Sequence, residues 1–144
     1  MRHVRLLAGS VLVLATAGCG DGPGGLGPNP GDTVAPFVTA LLPAPLERNV
    51  LLDAAITVTF SEPINPATVG IGSFLVRRFF DTLPGGYVFG DSSVSFEPNG
   101  LLESGATYSV TLTRGIRDPA GNQLARDTAW SFTAEGRAVP ASRR

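Results

Sequence analysis

This chain has very few of the imidazole, thiol and amine side chains that activate nucleophiles or bind transition metals. The sole histidine is His3, the sole cysteine is Cys19, and the chain has no lysine. His3 lies in a segment that we expect to be removed, so no Ser–His or Cys–His pair and no histidine metal site can form in the mature chain. Paired carboxylates could still hydrolyse glycosides, but no two acids show a recognisable spacing. We therefore predict that the chain is not an enzyme and uses no cofactor.

The loop at residues 118–122 reads Asp-Pro-Ala-Gly-Asn and combines oxygen donors with turn formers. Asp118 and Asn122, together with Glu62 or Asp127, could supply ligands to calcium, which takes about six to eight oxygens. A turn is favoured, because Asp starts it, Pro presets the next φ, and Gly and Asn accept a positive φ. We therefore predict that Asp118 and Asn122 are structural residues and that the chain holds no metal.

Two aromatic residues admit both a structural and a binding interpretation. Trp130 could stack on a sugar ring, but it alternates with Phe132 on one face of a predicted strand, which favours the core. Tyr108 follows Leu102 and Gly105 in the layout of a tyrosine corner, whose phenol bonds the upstream backbone and caps the turn. Both Trp130 and Tyr108 are predicted to be structural.

The alternation of apolar and polar residues breaks at residues 77–80, which read Arg-Arg-Phe-Phe. A strand continuing through this segment would point Arg78 into the core without a partner, which is costly. We expect the strand to end or bulge near the first arginine, and residues 79–86 to form a projecting hairpin loop. An exposed Phe79 or Phe80 would then be a contact for a partner. In the alternative, both rings fold back over the edge of the domain.

The N-terminal segment, residues 1–18, has the layout of a secretory signal, with a charged start, a short apolar run and small residues before Cys19. The apolar run is about 12 residues long, shorter than the roughly 20 that a membrane-spanning helix needs. Residues 16–19, Thr-Ala-Gly-Cys, resemble the bacterial lipobox. The resemblance implies that Cys19 becomes the lipidated N-terminus, which would anchor the chain in a membrane. Gly20 in place of Asp favours the outer membrane or cell surface.

Composition divides the rest of the chain into three parts. Residues 19–32 are the lipidated cysteine and a flexible tether rich in Gly and Pro, residues 33–135 form one domain, and residues 136–144 are a tail. The formal net charge is −1 and the sequence shows no basic stripe. Such a chain is a poor ligand for nucleic acid, since binding to phosphates needs clustered cations.

The body of the chain consists of short β-branched and aromatic runs separated by turn residues, which predicts strands rather than helices. About seven strands are predicted, at residues 37–42, 55–60, 73–77, 87–89, 93–96, 107–113 and 128–133. Each has one apolar face, so they pack most economically as two antiparallel sheets around a common core. The predicted fold is therefore an all-β sandwich.

Three motifs give this sandwich a family resemblance. Residues 58–64 (VTFSEPI), 96–110 (FEPNGLLESGATYSV) and 115–133, with GIRDPAGN and WSFT, resemble in order the motifs of the SbsA-like bacterial Ig-like domain. The resemblance implies an Ig-like fold and a structural, spacer or adhesion role at the cell surface. A cell-surface protein or a glycan is the implied partner, and a carbohydrate- or matrix-binding module is the alternative function.

Overall fold

Alternating apolar and polar residues produce strands with one buried face throughout the part of the chain that the computed structural model describes, residues 31–136. In Ile56–Phe60, for example, Ile56, Val58 and Phe60 are buried, whereas the two threonines between them are half-buried. The predicted signal peptide, Cys19, most of the tether and residues 137–144 lie outside the described residues.

The described residues contain eight strands and one short 3-10 helix, Pro66–Thr68. The strands are β1 (Val38–Leu42), β2 (Ile56–Phe60), β3 (Phe74–Arg78), β4 (Asp81–Thr82), β5 (Gly85–Phe89), β6 (Ser93–Pro98), β7 (Thr107–Leu112) and β8 (Thr128–Thr133). They form two four-stranded sheets, of order β1-β2-β6-β5 and β4-β3-β7-β8. All pairs of neighbouring strands are antiparallel. The predicted all-β, two-sheet Ig-like sandwich is thus confirmed, with one additional short strand.

The inner faces of the two sheets bury a single hydrophobic cluster. Its largest fully buried side chains include Tyr108, Phe74, Phe132, Ile56 and Leu102. Every buried hydrophobic side chain among the described residues lies between Val50 and Ala134. Among the described residues, the core thus takes no buried hydrophobic side chain from the tether or the tail.

The segment around the two arginines differs from the sequence prediction. β3 ends at Arg78, one residue beyond the expected end near Arg77, and Arg78 pairs with Asp81 of β4. The expected loop over residues 79–86 is wrong, because a tight turn at Phe79 and Phe80 is followed by two strands. Arg78 does lie on the inner side of β3, but at the very end of the sandwich. There its side chain is 32% exposed and forms an ion pair with Glu103, so no unpaired buried charge arises.

The chain enters and leaves the sandwich at opposite ends. Ala125, just before β8, donates its N–H to Pro36 O, just before β1, so both strands start at one end, which we call the entry pole. Thr133 at the end of β8 pairs with Thr107 at the start of β7, and both lie at the other end, the exit pole. The described chain therefore begins at one pole and ends at the other.

Candidate functional site

Tyr108 occupies the predicted tyrosine corner at the exit pole. Its phenol oxygen accepts a hydrogen bond of 2.8 Å from the backbone N–H of Glu103. The side chain is 2% exposed, its ring stacks on Phe132 at a centroid distance of 5.6 Å, and burial raises the pKa of the phenol. Gly105 in the intervening loop has a φ of 73°, a conformation that favours glycine. These contacts fix the turn before β7.

Trp130 is part of the core rather than a binding platform. Its side chain is 7% exposed, and its indole N–H donates a 3.0 Å hydrogen bond to the carbonyl of Pro43. A buried indole with its N–H already bonded cannot stack on a sugar. The glycan-binding interpretation of Trp130 is therefore wrong.

Asp118 organises the turn at residues 118–122. One of its carboxylate oxygens accepts bonds from the backbone N–H groups of Gly121 (2.6 Å) and Asn122 (2.8 Å), and the other accepts from the side-chain amide of Asn122 (2.8 Å). Asp118 is 1% exposed, and Gly121 has a φ of 98°. The same amide of Asn122 also donates to the carbonyl of Asp32, at the end of the tether. Asp118 and Asn122 thus hold a turn and attach the incoming chain to it.

Three carboxyl groups meet at the entry pole. Asp32, Glu62 and Asp118 each place a carboxylate oxygen within 4.8 Å of the others. Glu62 has one carboxylate oxygen that is buried without a hydrogen-bond partner among the described residues. Burial raises the pKa of Glu62, and the charges of Asp32 and Asp118 raise it further.

These three carboxyl groups, which we call the acidic cluster, include one that the sequence did not predict. Glu62 was a named alternative donor, but Asp32 lies in the predicted tether, far from the Asp118 loop in sequence, and no local signal brings them together. The other alternative, Asp127, instead accepts a bond from the backbone N–H of Arg114. Calcium binding here stays a minor prediction, beside the favoured structural turn.

Phe79 and Phe80 form the tip of the β3–β4 hairpin at the exit pole. Their side chains are 81% and 97% exposed, so the alternative in which both rings fold back over the sandwich is wrong. Phe79 has a φ of 54°, in the left-handed region that a bulky side chain rarely adopts. Their role as a partner contact stays a prediction.

An apolar groove opens between the edges of the two sheets, where β3 and β4 face β5. It has a volume of about 300 Å³, and no charged side chain lines it. Tyr87 crosses the groove and donates a 2.6 Å hydrogen bond from its phenol to the carbonyl of Phe74. The sequence placed Tyr87 on a strand but did not show this link between the sheets.

The fold and these motifs place the chain in a known family. Residues 32–134 match the bacterial Ig-like domain family, and the chain belongs to it. A search of curated proteins found no match. None of the described helical segments is long and apolar enough to cross a membrane.

Several solved structures share the fold at low sequence identity. The N-terminal part of the bacterial S-layer protein SbsC is 20% identical with a TM-score of 0.52, and the match covers 71% of this chain and 24% of that one. CopC from Methylosinus trichosporium OB3b is 13% identical with a TM-score of 0.57, covering 70% and 94%. The LD transpeptidase LdtMt1 is 16% identical with a TM-score of 0.53, covering 71% and 41%. This chain thus corresponds to about a quarter of the SbsC structure.

Proposed function

We propose that this chain is a surface-anchored lipoprotein whose single SbsA-like Ig-like domain acts as a structural, spacer or adhesion module. The lipid is attached to Cys19, and the protein lies in the cell envelope, at the outer membrane or cell surface. The observation that carries the proposal is that the described chain begins at one pole of the sandwich and ends at the other. A rigid sandwich joined at one pole displays the other pole at a distance from its anchor.

The chemistry of the domain supports a role without catalysis. Asp118 and Asn122 are engaged in holding a turn, and Tyr108 and Trp130 in holding the core. The acidic cluster is the one group of three or more His, Cys, Asp or Glu side chains that converge within the described residues.

Fractionation of cells tests the anchor. The wild-type chain should be found in the membrane fraction and require detergent for release, whereas Cys19→Ala should be secreted in soluble form or accumulate unprocessed. Ser10→Ala, which also changes one small side chain in the predicted signal, is the matched control and should behave like wild type. Detergent-dependent membrane association of Cys19→Ala would contradict lipidation at this residue.

A binding role for a cell-surface protein or glycan is the alternative. Trp130 is not available for it, so Phe79 and Phe80 are the exposed aromatic residues with the greatest accessibility among those described. A glycan array and pull-down with residues 20–144 separate a binder from a spacer. Specific capture that Phe80→Ser abolishes would favour binding, and absence of any ligand would favour the spacer.

A further inference from the structure

β5 lies at the edge of its sheet, and the described residues leave its outer side uncovered. The N–H of Asn99 donates to the carbonyl of Pro84, which fixes the residues of this strand that face β6. Because the direction of the backbone groups alternates along an antiparallel strand, Gly85, Tyr87 and Phe89 point their N–H and C=O groups away from β6. Among the described residues, no other segment forms a backbone bond to these three.

The other three sheet edges have features that normally prevent pairing with a further strand. β8 is covered by the segment after β1, because Leu46 donates to the carbonyl of Ser131 and Thr133 donates to that of Glu47. β4 has only two residues, one of which is Asp81. β1 contains a shift in register. β5 has five residues and no charge, proline or register shift, so it is the edge best suited to pair with another strand.

The two halves of β5 differ in size. A Cβ on Gly85 would collide with the ring of Phe96, so folding itself requires this glycine. A Cβ on Gly86 would meet nothing within 4 Å, so folding does not require the second glycine. Glycine inside a strand often marks a place where another backbone approaches closely. Val88 and Phe89 in the other half are large, and they are 50% and 40% exposed.

We propose that two copies of this chain pair through β5 in antiparallel register, with Tyr87 of one copy opposite Tyr87 of the other. Phe89 then faces Gly85 of the other copy. Val88 likewise faces Gly86, so every large side chain of the strand except the central tyrosine lies opposite a glycine. The three outward-facing residues of each strand form hydrogen-bonded pairs, which gives about six bonds between the copies. This match of the strand with itself favours a second copy over an unrelated extended peptide.

The size of the edge predicts a weak dimer. A strand of five residues is about 17 Å long, and the partner strand would run along the apolar groove between the two sheets. Stable complexes bury about 1,200 Å² or more, which one strand pair does not reach. We therefore expect a dissociation constant of about 10 µM to 1 mM. Many copies held on a surface would strengthen such pairing through multivalency.

The direction of β5 determines how paired copies are oriented. β1 starts at the entry pole, and β2, β6 and β5 follow it across the sheet in antiparallel order, so β5 runs from the exit pole to the entry pole. Antiparallel pairing therefore places the entry pole of one copy beside the exit pole of the other. One consequence rests on the proposed function: copies anchored ahead of their entry poles would pair across two facing surfaces, which suits an adhesion module. The pairing itself does not depend on the anchor.

Disulfide trapping tests the register in residues 20–144, which contain every described residue and no cysteine. Gly86→Cys is made in one sample and Val88→Cys in another. In the proposed register these two positions face each other with Cα atoms about 4.5–5.5 Å apart, within reach of a disulfide. Each position lies about 8 Å from its own counterpart, which is too far. An oxidised mixture should therefore contain about tenfold more cross-linked dimer than either variant alone.

Sedimentation equilibrium measures the affinity of unmodified residues 20–144. The average mass should rise from that of a monomer towards that of a dimer between about 10 µM and 1 mM. Phe89→Pro removes an outward-facing N–H and leaves the bonds to β6, so it should weaken the dimer about tenfold or more. Phe89→Ala is the matched control, because it keeps the N–H and should weaken the dimer less. Melting curves check that the variants fold, and the disulfide test does not depend on the proline variant.

Thr39→Cys mixed with Val88→Cys is the control for random cross-linking, since Thr39 is exposed on β1 at the other edge of the same sheet. This mixture should show background cross-linking only. The proposal would be overturned by equal cross-linking in the two mixtures, or by a monomer mass at all concentrations up to about 1 mM. Faster cross-linking of Val88→Cys with itself would exclude the register centred on Tyr87. None of these results bears on the Cys19 fractionation, so the pairing and the anchor can fail separately.

Discussion

At the scale of single residues, one phenol stabilises the exit pole. Tyr108→Phe removes the acceptor for the N–H of Glu103 and should lower the free energy of unfolding by about 0.5–1.5 kcal/mol, as expected for one lost hydrogen bond. Urea unfolding measures the loss as a lower midpoint with an unchanged slope. An unchanged midpoint would mean that the bond contributes nothing to stability.

Glu62 makes a pH-dependent contribution with a definite sign. Its pKa is raised above the ordinary 4.5 by burial and then by Asp32 and Asp118. Folding therefore favours the protonated carboxyl of Glu62. The stability that this group contributes is fully present below pH 4.5 and is lost as the pH rises through its folded-state pKa. Glu62→Gln, which stays neutral, should thus be more stable than wild type near neutral pH but not in acid.

Melting temperatures of both proteins across the acidic range test this sign. The gain in melting temperature from Glu62→Gln should shrink as the pH falls. It should vanish below the pKa that Glu62 has in the unfolded chain. Glu97→Gln, at an exposed position on β6, is the control for a general effect of removing one carboxylate. A gain that is the same at every pH would show that the carboxyl charge is not its cause.

At the scale of elements, β5 needs a residue without a side chain where it begins. A Cβ on Gly85 would collide with the carbonyl of Glu97 and the ring of Phe96, whereas a Cβ on Gly86 would meet nothing within 4 Å. Gly85→Ala should therefore lower the free energy of unfolding by about 1–3 kcal/mol, the usual cost of overpacking. Gly86→Ala, one residue away on the same strand, is the matched control and should change stability far less. Equal losses in the two variants would rule out the collision as the cause.

The strands were largely predictable from sequence because their signal is local. Ile56, Val58 and Phe60 alternate with threonines, and this pattern alone decides which face is buried. β4 was missed because the residues before it, Arg77 to Phe80, break the alternation. The end of a sandwich tolerates an inward arginine that its middle would not, and only the tertiary ion pair with Glu103 shows that Arg78 lies at an end.

Candidate sites formed by residues close in sequence were predictable, whereas sites formed by distant segments were not. The Asp118 turn and the Tyr108 corner depend on residues within a few positions of one another, so spacing predicted them. The acidic cluster joins Asp32, Glu62 and Asp118 from three distant segments, and the link from Tyr87 to Phe74 crosses between sheets. No periodicity in the sequence predicts these contacts between distant residues, because they follow from how the two sheets pack.

At the scale of the whole molecule, the tether and tail should be separable from folding. The buried hydrophobic cluster lies between Val50 and Ala134, and the described attachment of the tether to the sandwich includes the bond between Asp32 and Asn122. A chain of residues 31–136 keeps all of these contacts. It should therefore melt within about 2 °C of residues 20–144, a difference of less than about half a kcal/mol for a domain of this size.

A second truncation shows whether that comparison is sensitive. Residues 50–136 lack β1, which pairs with β2, and also lack the backbone bonds that Leu46 and Glu47 make to β8. This chain should melt at a much lower temperature or fail to fold. In one sheet β2 loses its neighbour β1, and in the other β8 loses its backbone bonds to the segment after β1. If residues 31–136 were destabilised to a similar degree, the tether or tail would have to be part of the folded domain. The predicted tether and tail could then not be treated as appendages of an independently folding sandwich.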